Sequence, residues 1–344
     1  MENMSKKRLR AEIEQQMLDM QLLGDKTLTR MNQLLEKTML DISEEINYTY
    51  YRYKKRFNLT DEKMVEVMNS RLSDAELLDY VNRGILAKEV ILDRASFLNE
   101  LTRLTVLKEY IGSSFKVVAD TSIGYVEDLV KEVVDSTRAR TVFAVSKEVG
   151  FELELGFQKM PKARMDKLLH HNWMDSNFYK RIQNNCGKLQ SQVEEVLTSG
   201  VKRGEGINKM AMKIEETTNY GKVASKRLVR TEVSHFLNKA EAEQLEEWGE
   251  EFYEISATLD SRTCHVAHKD GTPSCGEMDG KVFKLSERVE GKNAPVFRPN
   301  CRCCVVPYIG EEMRSKLMRF ARTIDGKPIK IKYKTFEEWA KDNL

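Results

Sequence analysis

Leucine, isoleucine and methionine recur every three or four residues from about residue 5 to 110, as in "AEIEQQMLDMQLLGDKTLTRMNQLLEKTMLDISEEINYTYYRY". That spacing stacks apolar side chains on one helical face and leaves the charged residues on the other. A chain so patterned is committed to helices that must bury a stripe. With only six prolines in 344 residues, breakers are sparse, and this part reads as an elongated, mostly helical region rather than a compact enzyme core. Gly24-Asp25 interrupts the pattern and is expected to form a short turn. Thr60 and Ser73 each precede an acidic first turn and are expected to cap helix N-termini. Gly84 is the expected C-terminal cap.

Helical patterning resumes from about 113 to 150. A short alternating piece, Phe151 to Phe157, then has strand character, and Pro161 marks a turn, so a domain boundary is placed near 155 to 162. Further helices are expected at roughly 176 to 199, 206 to 217 and 222 to 248. After Trp248-Gly249 the period changes. "EFYEISATLD", "KVFKL" and "CRCCVVPYI" carry strand chemistry between loops rich in Gly, Pro, Asp and Ser. The fold class is therefore α+β: an elongated helical N-terminal region, then a helical domain with a small β-rich, cysteine-containing C-terminal cap.

Hydrophobic residues at 41%, charged residues at 32% and a net charge of +2 describe a soluble chain of about two domains whose bulk charge names no partner. No run approaches the ~18 apolar residues that span a bilayer. The positively charged N-terminus has no apolar run behind it and is not a secretory signal. A reducing cytoplasm is the expected place of synthesis, and there clustered cysteines more often bind metal or stay free than pair.

Such a cluster exists. Cys264 and Cys275 flank a polar loop containing His265 and His268, and Cys301, Cys303 and Cys304 open the last expected strand. Alternation sends Cys301 and Cys303 to one face and Cys304 to the other. Three readings stay open: a structural zinc held by Cys264, Cys275, Cys301 and Cys303, with His268 or His265 replacing one sulfur; free thiols acting as small hydrophobes; and a disulfide between Cys264 and Cys275. A thiol nucleophile assisted by His265, His268 and Asp270 is disfavoured, because a polar loop holds such geometry poorly. Cys186, alone on a helix, reads as a packing residue.

Residues 314 to 334, "RSKLMRFARTIDGKPIKIKYK", hold eight Lys or Arg against one Asp. Arg314, Lys316, Arg319, Arg322, Lys327, Lys330, Lys332 and Lys334 could follow DNA phosphates. The plainer reading is a solvated, partly ordered tail.

Taken in order, "LVRTEVSHFLNKAEAEQLEEWG", "LDSRTC", "CGEMDGKVF" and "APVFRPNCRCCVVPY" resemble the phage Mu protein F-like head-morphogenesis family, the minor capsid proteins of tailed phages. The likeness covers about 160 to 310. It implies a head-morphogenesis domain at 159–310, with helices over 176–248 and the β cap over 250–310, while the amphipathic helices of 1–158 are themselves read as a protein surface, a helical portal-docking region. A basic tail occupies 311–344. The implied protein is made in the host cytoplasm, resides in the virion and binds the portal protein. It meets procapsid and scaffold components, has no membrane segment, acts in head assembly and DNA delivery, and catalyses nothing. Metal ligands carried over from the family fall on Cys264, Cys275, Cys301 and Cys303, with Arg298 in the place of a histidine. The family's Cys-x-x-Cys is here opened by "HVAHKDGTPS", which offers His268 as the replacement ligand. Arg230, Glu232, Asp260 and Arg262 match recurrent positions. An Arg230–Asp260 or Glu232–Arg262 pair would tie the helix to the β cap through charged hydrogen bonds. Two other classes remain in view: a zinc-dependent nuclease or other enzyme on the cap, and a DNA-binding accessory protein acting through the basic tail.

Overall fold

A computed structural model describes residues 3–87, 101–149, 160–173, 175–266, 268–323 and 327–343. The strand-like piece expected at 151–157 lies outside the described residues. One helix, α1 (Asn3–Arg56), takes in the first half of that pattern without a break. Its buried residues Leu9, Ile13, Met17, Met20, Leu28, Met31, Leu35, Met39, Ile42 and Ile46 keep the three-and-four spacing except between Met20 and Leu28. Gly24 fills that gap. It is a seam residue rather than the expected turn, because a Cβ there would stand 3.1 Å from Val233 and 3.2 Å from Val229. The missing side chain lets two helices approach.

Capping follows the sequence expectation. Helix α2 (Asp61–Asn69) begins with the Thr60 side chain accepting from the Lys63 amide. Helix α3 (Asp74–Asn82) begins with a reciprocal capping box between Ser73 and Glu76. Gly84, at φ +71°, stands just past the end of α3. Helix α4 (Arg103–Val149) starts about ten residues earlier than its pattern suggested, and α5 (Lys162–Leu169) and α6 (Phe178–Lys202) follow. The two helices expected at 206–217 and 222–248 are one, α7 (Ile207–Glu247). Gly221 does not break it. An added Cβ would lie 2.7 Å from Leu35 and 3.0 Å from Leu189, so this glycine too serves close packing.

The chain clusters into two units, neither a continuous stretch and neither bounded at 158 or 310. One comprises Thr29–Gly124 and Tyr179–Ser225, the other Met1–Leu28, Tyr125–Phe178 and Lys226–Leu344. The first of these is helical. Its packing includes a cluster of Leu72, Tyr80, Leu86, Leu101 and Val106, and Arg83 grips Glu45 with two hydrogen bonds of 2.7 and 3.1 Å.

The second unit carries every strand named here. Strands β1 (Phe252–Ser256), β2 (Val282–Lys284) and β3 (Cys304–Pro307) form an antiparallel sheet in the order β2-β1-β3. The short helix α8 (Cys275–Met278) lies between β1 and β2 in sequence. Past β3 the chain does not trail away. It forms α9 (Glu311–Ser315), a hairpin of β4 (Met318–Arg322) and β5 (Pro328–Lys332), and α10 (Phe336–Asn343). Phe336 and Trp339 of α10 bury against Leu259 and Ala321.

This corrects the reading of the tail as partly ordered, and the physical reason lies in alternation along β4. Arg319 and Ala321 face inward, and the Arg319 side chain, 1% exposed, pairs with Asp279 at 0%. Its two amino groups each bond an Asp279 oxygen at 2.8 Å. Arg319 is therefore no DNA contact. Arg314 donates to the Gly280 carbonyl at 3.0 Å and pairs with Glu311. Lys316 pairs with Glu312, and Lys334 with Asp342.

A second buried pair joins α1 to the sheet: Arg10 lies 2.8 Å from Glu254, both essentially inaccessible. Tyr333 donates to Glu254 at 2.9 Å, and the guanidiniums of Arg10, Arg314 and Arg319 all lie within 5.5 Å of its ring centroid. These are cation–π distances. Among the described residues no helix is long and apolar enough to cross a membrane.

Two stability predictions follow from buried charge. Arg319→Met leaves the Asp279 carboxylate buried without its cation and is expected to cost about 3–5 kcal/mol, read as a lowered urea midpoint. Lys330→Met, on the exposed face of the same hairpin, should change stability by less than ~0.5 kcal/mol. Glu241 is fully buried beside Thr141, which donates to it at 3.0 Å. Burial raises its pKa from 4.5 to about 8. The folded state then holds a proton that the unfolded state releases, so stability falls as pH rises from 4.5 toward 8. Glu241→Gln should remove that slope: its melting temperature should match wild type near pH 4.5, exceed it increasingly to pH 8, and keep a constant lead above that.

Candidate metal centre

Three local structures deliver the thiols. Ser274 caps α8 by accepting from the Glu277 amide at 3.1 Å, which sets Cys275 as the first helical residue. The turn Arg298–Cys301 closes through a 3.1 Å bond from the Cys301 amide to the Arg298 carbonyl, with Asn300 at φ +65°. Helix α7 clamps this turn from beneath. Thr231 accepts from the Asn300 amide at 3.0 Å, while the Asn238 amide group donates to the Cys303 carbonyl and accepts from the Val305 amide.

The result is a buried trio, Cys275, Cys301 and Cys303, whose sulfurs all lie within 4.8 Å of one another. Cys275 and Cys301 are 3.8 Å apart, sulfur to sulfur. The Cys301 thiol is held well below its ordinary pKa because Cys275 and then Cys303 hydrogen-bond to its sulfur. The Cys301 contact pushes Cys275 upward, and the Cys275 contact, then that of Cys301, pushes Cys303 upward. Negative charge on more than one sulfur in so buried a place calls for a cation.

The donor set fits a tetrahedral soft-metal site. Bonds of about 2.3 Å at tetrahedral angles separate zinc-bound sulfurs by about 3.8 Å, the spacing of Cys275 and Cys301. A cavity of about 110 Å³ opens beside the trio, lined also by Cys264, Arg298 and Asn300. Cys264 is anchored there by its backbone, its carbonyl accepting from the Gly276 amide at 2.7 Å. Its sulfur meets His268 Nε2 at 3.2 Å. His268 therefore touches the fourth thiol rather than the trio, and its Nδ1 faces Arg298 Nη1 at 3.2 Å. His265 stacks on Phe336 instead. Cys304 is buried and lines a separate small cavity with Glu14 and Arg302, as the strand alternation implied. Cys186 is buried on α6.

The expected ties between Arg230 or Glu232 and the cap take a different form. Arg230 bonds Asp25 of α1 at 3.2 Å, and Glu232 accepts from the Trp173 indole at 3.2 Å. Asp260 instead receives both amino groups of Arg302, at 2.5 and 2.8 Å, while Arg262 stays 64% exposed and 3.8 Å away. The reason is position: Arg302 lies between Cys301 and Cys303, next to Asp260, whereas Arg230 faces α1. Burial alone would raise Asp260, but the Arg302 hydrogen bonds outweigh it and hold the carboxylate below its ordinary range.

Two residues at this site were missed from sequence. Gly276 follows a cysteine because a Cβ there would strike Phe336 at 2.5 Å. Asp279 accepts from the Ala257 and Phe336 amides as well as from Arg319. Its place in "CGEMDG" was the available signal.

The segment that supplies these thiols can be placed. Residues 191–306 match the family model for Phage Mu protein F like protein. The Mu protein F-like segment contains the whole thiol cluster, Asp260 and Arg302, and ends in β3. The match points to a phage head- or capsid-related protein. No curated protein and no solved structure matches the chain.

Arg302→Lys keeps the charge but loses the two-pronged grip on Asp260. Hydrogen bonds to charged groups contribute about 1.5–3 kcal/mol, so the substitution should lower stability by roughly that much in chemical denaturation. Arg262→Lys, at the exposed neighbour, should change it little.

Proposed function

We propose that this protein is a minor head component of a tailed phage, acting in procapsid assembly and DNA delivery by binding the portal protein, and that its cap is fastened by one structural zinc. The observation that carries the reading is the Mu protein F-like match over 191–306 enclosing a buried three-thiol cluster. In this reading Cys275, Cys301 and Cys303 bind the ion, and Cys264 turns its sulfur from His268 into the cavity as fourth ligand. A bound zinc would supply a cross-link between three chain segments and charge compensation for thiolates. Binding to zinc-like sites of this class contributes folding free energy directly. The chain's own part is to hold the thiols convergent through the Ser274 cap and the Asn238 clamp.

The region 1–158 is assigned to portal docking. Helix α1 exposes Tyr48 and Tyr51, and Phe57 is exposed just beyond its end, beside Lys55 and Arg56. Exposed aromatics in such a setting favour a protein surface that becomes buried on assembly. The chain is assigned no catalytic turnover.

The test is co-expression of the full chain with the portal protein of the same phage, followed by co-purification and elemental analysis. Portal should co-purify, with about one zinc per chain. Cys301→Ser should lose the zinc and several degrees of melting temperature, Cys264→Ser should weaken zinc retention without unfolding the cap, and Cys186→Ser should do neither. Absence of portal from the purified complex would defeat the docking assignment, and a zinc-free wild type would defeat the metal.

A further inference from the structure

Four arginines from four elements meet on one side of the cap. Arg230 lies on α7, Arg262 in the loop after β1, Arg302 just before β3 and Arg322 at the end of β4. The Arg322 amide donates to the Leu259 carbonyl at 2.8 Å, which sets this residue beside Asp260, the carboxylate shared by Arg302 and Arg262. The Asn300–Thr231 bond at 3.0 Å brings the turn bearing Arg302 onto α7 next to Arg230. Asp260 and Asp25 offset part of this charge, and an excess remains. Arg322 lies within the field of the other three: its guanidinium is drawn below its ordinary pKa by burial first, then by Arg302, with Arg262 and Arg230 adding to the repulsion and Asp260 opposing it.

The cluster continues along the hairpin. Arg319 and Ala321 point inward, so Met318, Phe320 and Arg322 point outward, opposite Lys332, Lys330 and Pro328 in the antiparallel register. Lys330 and Lys332 are exposed, and Lys330 lies 5.1 Å over the Phe320 ring. A basic strip thus runs from Arg230 across Arg322 to Lys332.

We propose that this strip binds the phosphate backbone of duplex DNA, with Arg262 and Arg322 gripping phosphates and Lys330 and Lys332 extending the contact. The inference rests on the phage-head reading and deepens it by naming where the packaged nucleic acid touches this chain. Two features favour DNA over an acidic protein. The cations are spread along an extended strand rather than gathered around one pocket, which suits a ligand carrying about one charge per 1.7 Å. Arg262 and Arg322 offer planar guanidinium forks, the geometry that takes phosphate oxygens in pairs.

The experiment measures binding of the full-length protein to a fluorescent 30-base-pair duplex by anisotropy across a sodium chloride series. Wild type should bind at low salt with log K falling linearly against log salt. Arg262→Gln/Arg322→Gln and Lys330→Gln/Lys332→Gln should each weaken binding about tenfold and each reduce the salt slope by about 2, close to 1 per lost phosphate contact. Melting temperatures should stay at the wild-type value, and Lys209→Gln, a surface lysine of the other unit, should bind as wild type. Unchanged affinity and slope in both double variants would overturn the proposal, as would stabilisation by inorganic phosphate without duplex binding. Loss of portal co-purification in these variants with DNA binding intact would overturn it in favour of a protein interface. Failure of the wild type to capture portal, with the DNA result as expected, would count against the docking assignment alone.

Discussion

The cap is organised around a single carboxylate. Asp279 accepts from the Arg319 guanidinium, the Ala257 amide and the Phe336 amide, so one buried charge holds the end of β1, the turn after α8, strand β4 and the start of α10. The N–H left on Arg319 Nη1 donates to the Lys334 carbonyl, and the one left on Nη2 is shared between the Ala257 carbonyl and the Ser256 hydroxyl. Removing two charges from water is costly, and such pairs often add little net stability over an apolar substitute. What they impose is geometry. A guanidinium with this many fixed partners tolerates one arrangement of the strands around it. The Arg10–Glu254 pair repeats the device where α1 meets the sheet.

The thiol cluster depends on that frame. Cys275 and Asp279 flank the same turn of chain, and the glycine after Cys275 lets Phe336 press against α8. Displacing Asp279 would move the helix that carries one sulfur, while Cys301 and Cys303 answer to Asn238 on α7. The sulfurs therefore report on whether two separately anchored pieces have come together. A charge-compensating ion would lock that agreement, which gives a small sheet with a long polar loop a physical use for metal.

Much of the helical structure was legible because periodicity records burial directly. The α1 seam, the caps at Thr60 and Ser73, and the three strands of the sheet follow from spacing and turn chemistry. Gly24 was misread, and a break was expected between 217 and 222 where Gly221 lies within one helix, for a reason that spacing hides: a glycine that ends a helix and one that admits a neighbour look alike until the neighbour is known. The convergence of Cys275, Cys301 and Cys303 was readable from residue type and from the family likeness. The partner of Asp260 was not: the expected Arg230 faces Asp25 on α1, and only the fold brings Arg302 to the carboxylate. The last stretch was the hardest. Counting Lys and Arg left a DNA-following stripe and a solvated tail both open, yet strand alternation puts Arg319 in the core and Lys330 in water one residue-face away, and composition averages the two.

The Lys6–Glu250 ion pair, 2.5 Å long, joins residues 244 positions apart. Arg10 likewise waits for Glu254. During synthesis the opening turns of α1 leave the ribosome long before the strands that will cover them exist, and their seam must stay unclaimed until then. Closing so large a loop carries an entropic barrier that local helices do not face. Assembly of this unit is thus a late event in the life of the nascent polypeptide, and the interval before it is when chaperones or premature association would have the most effect.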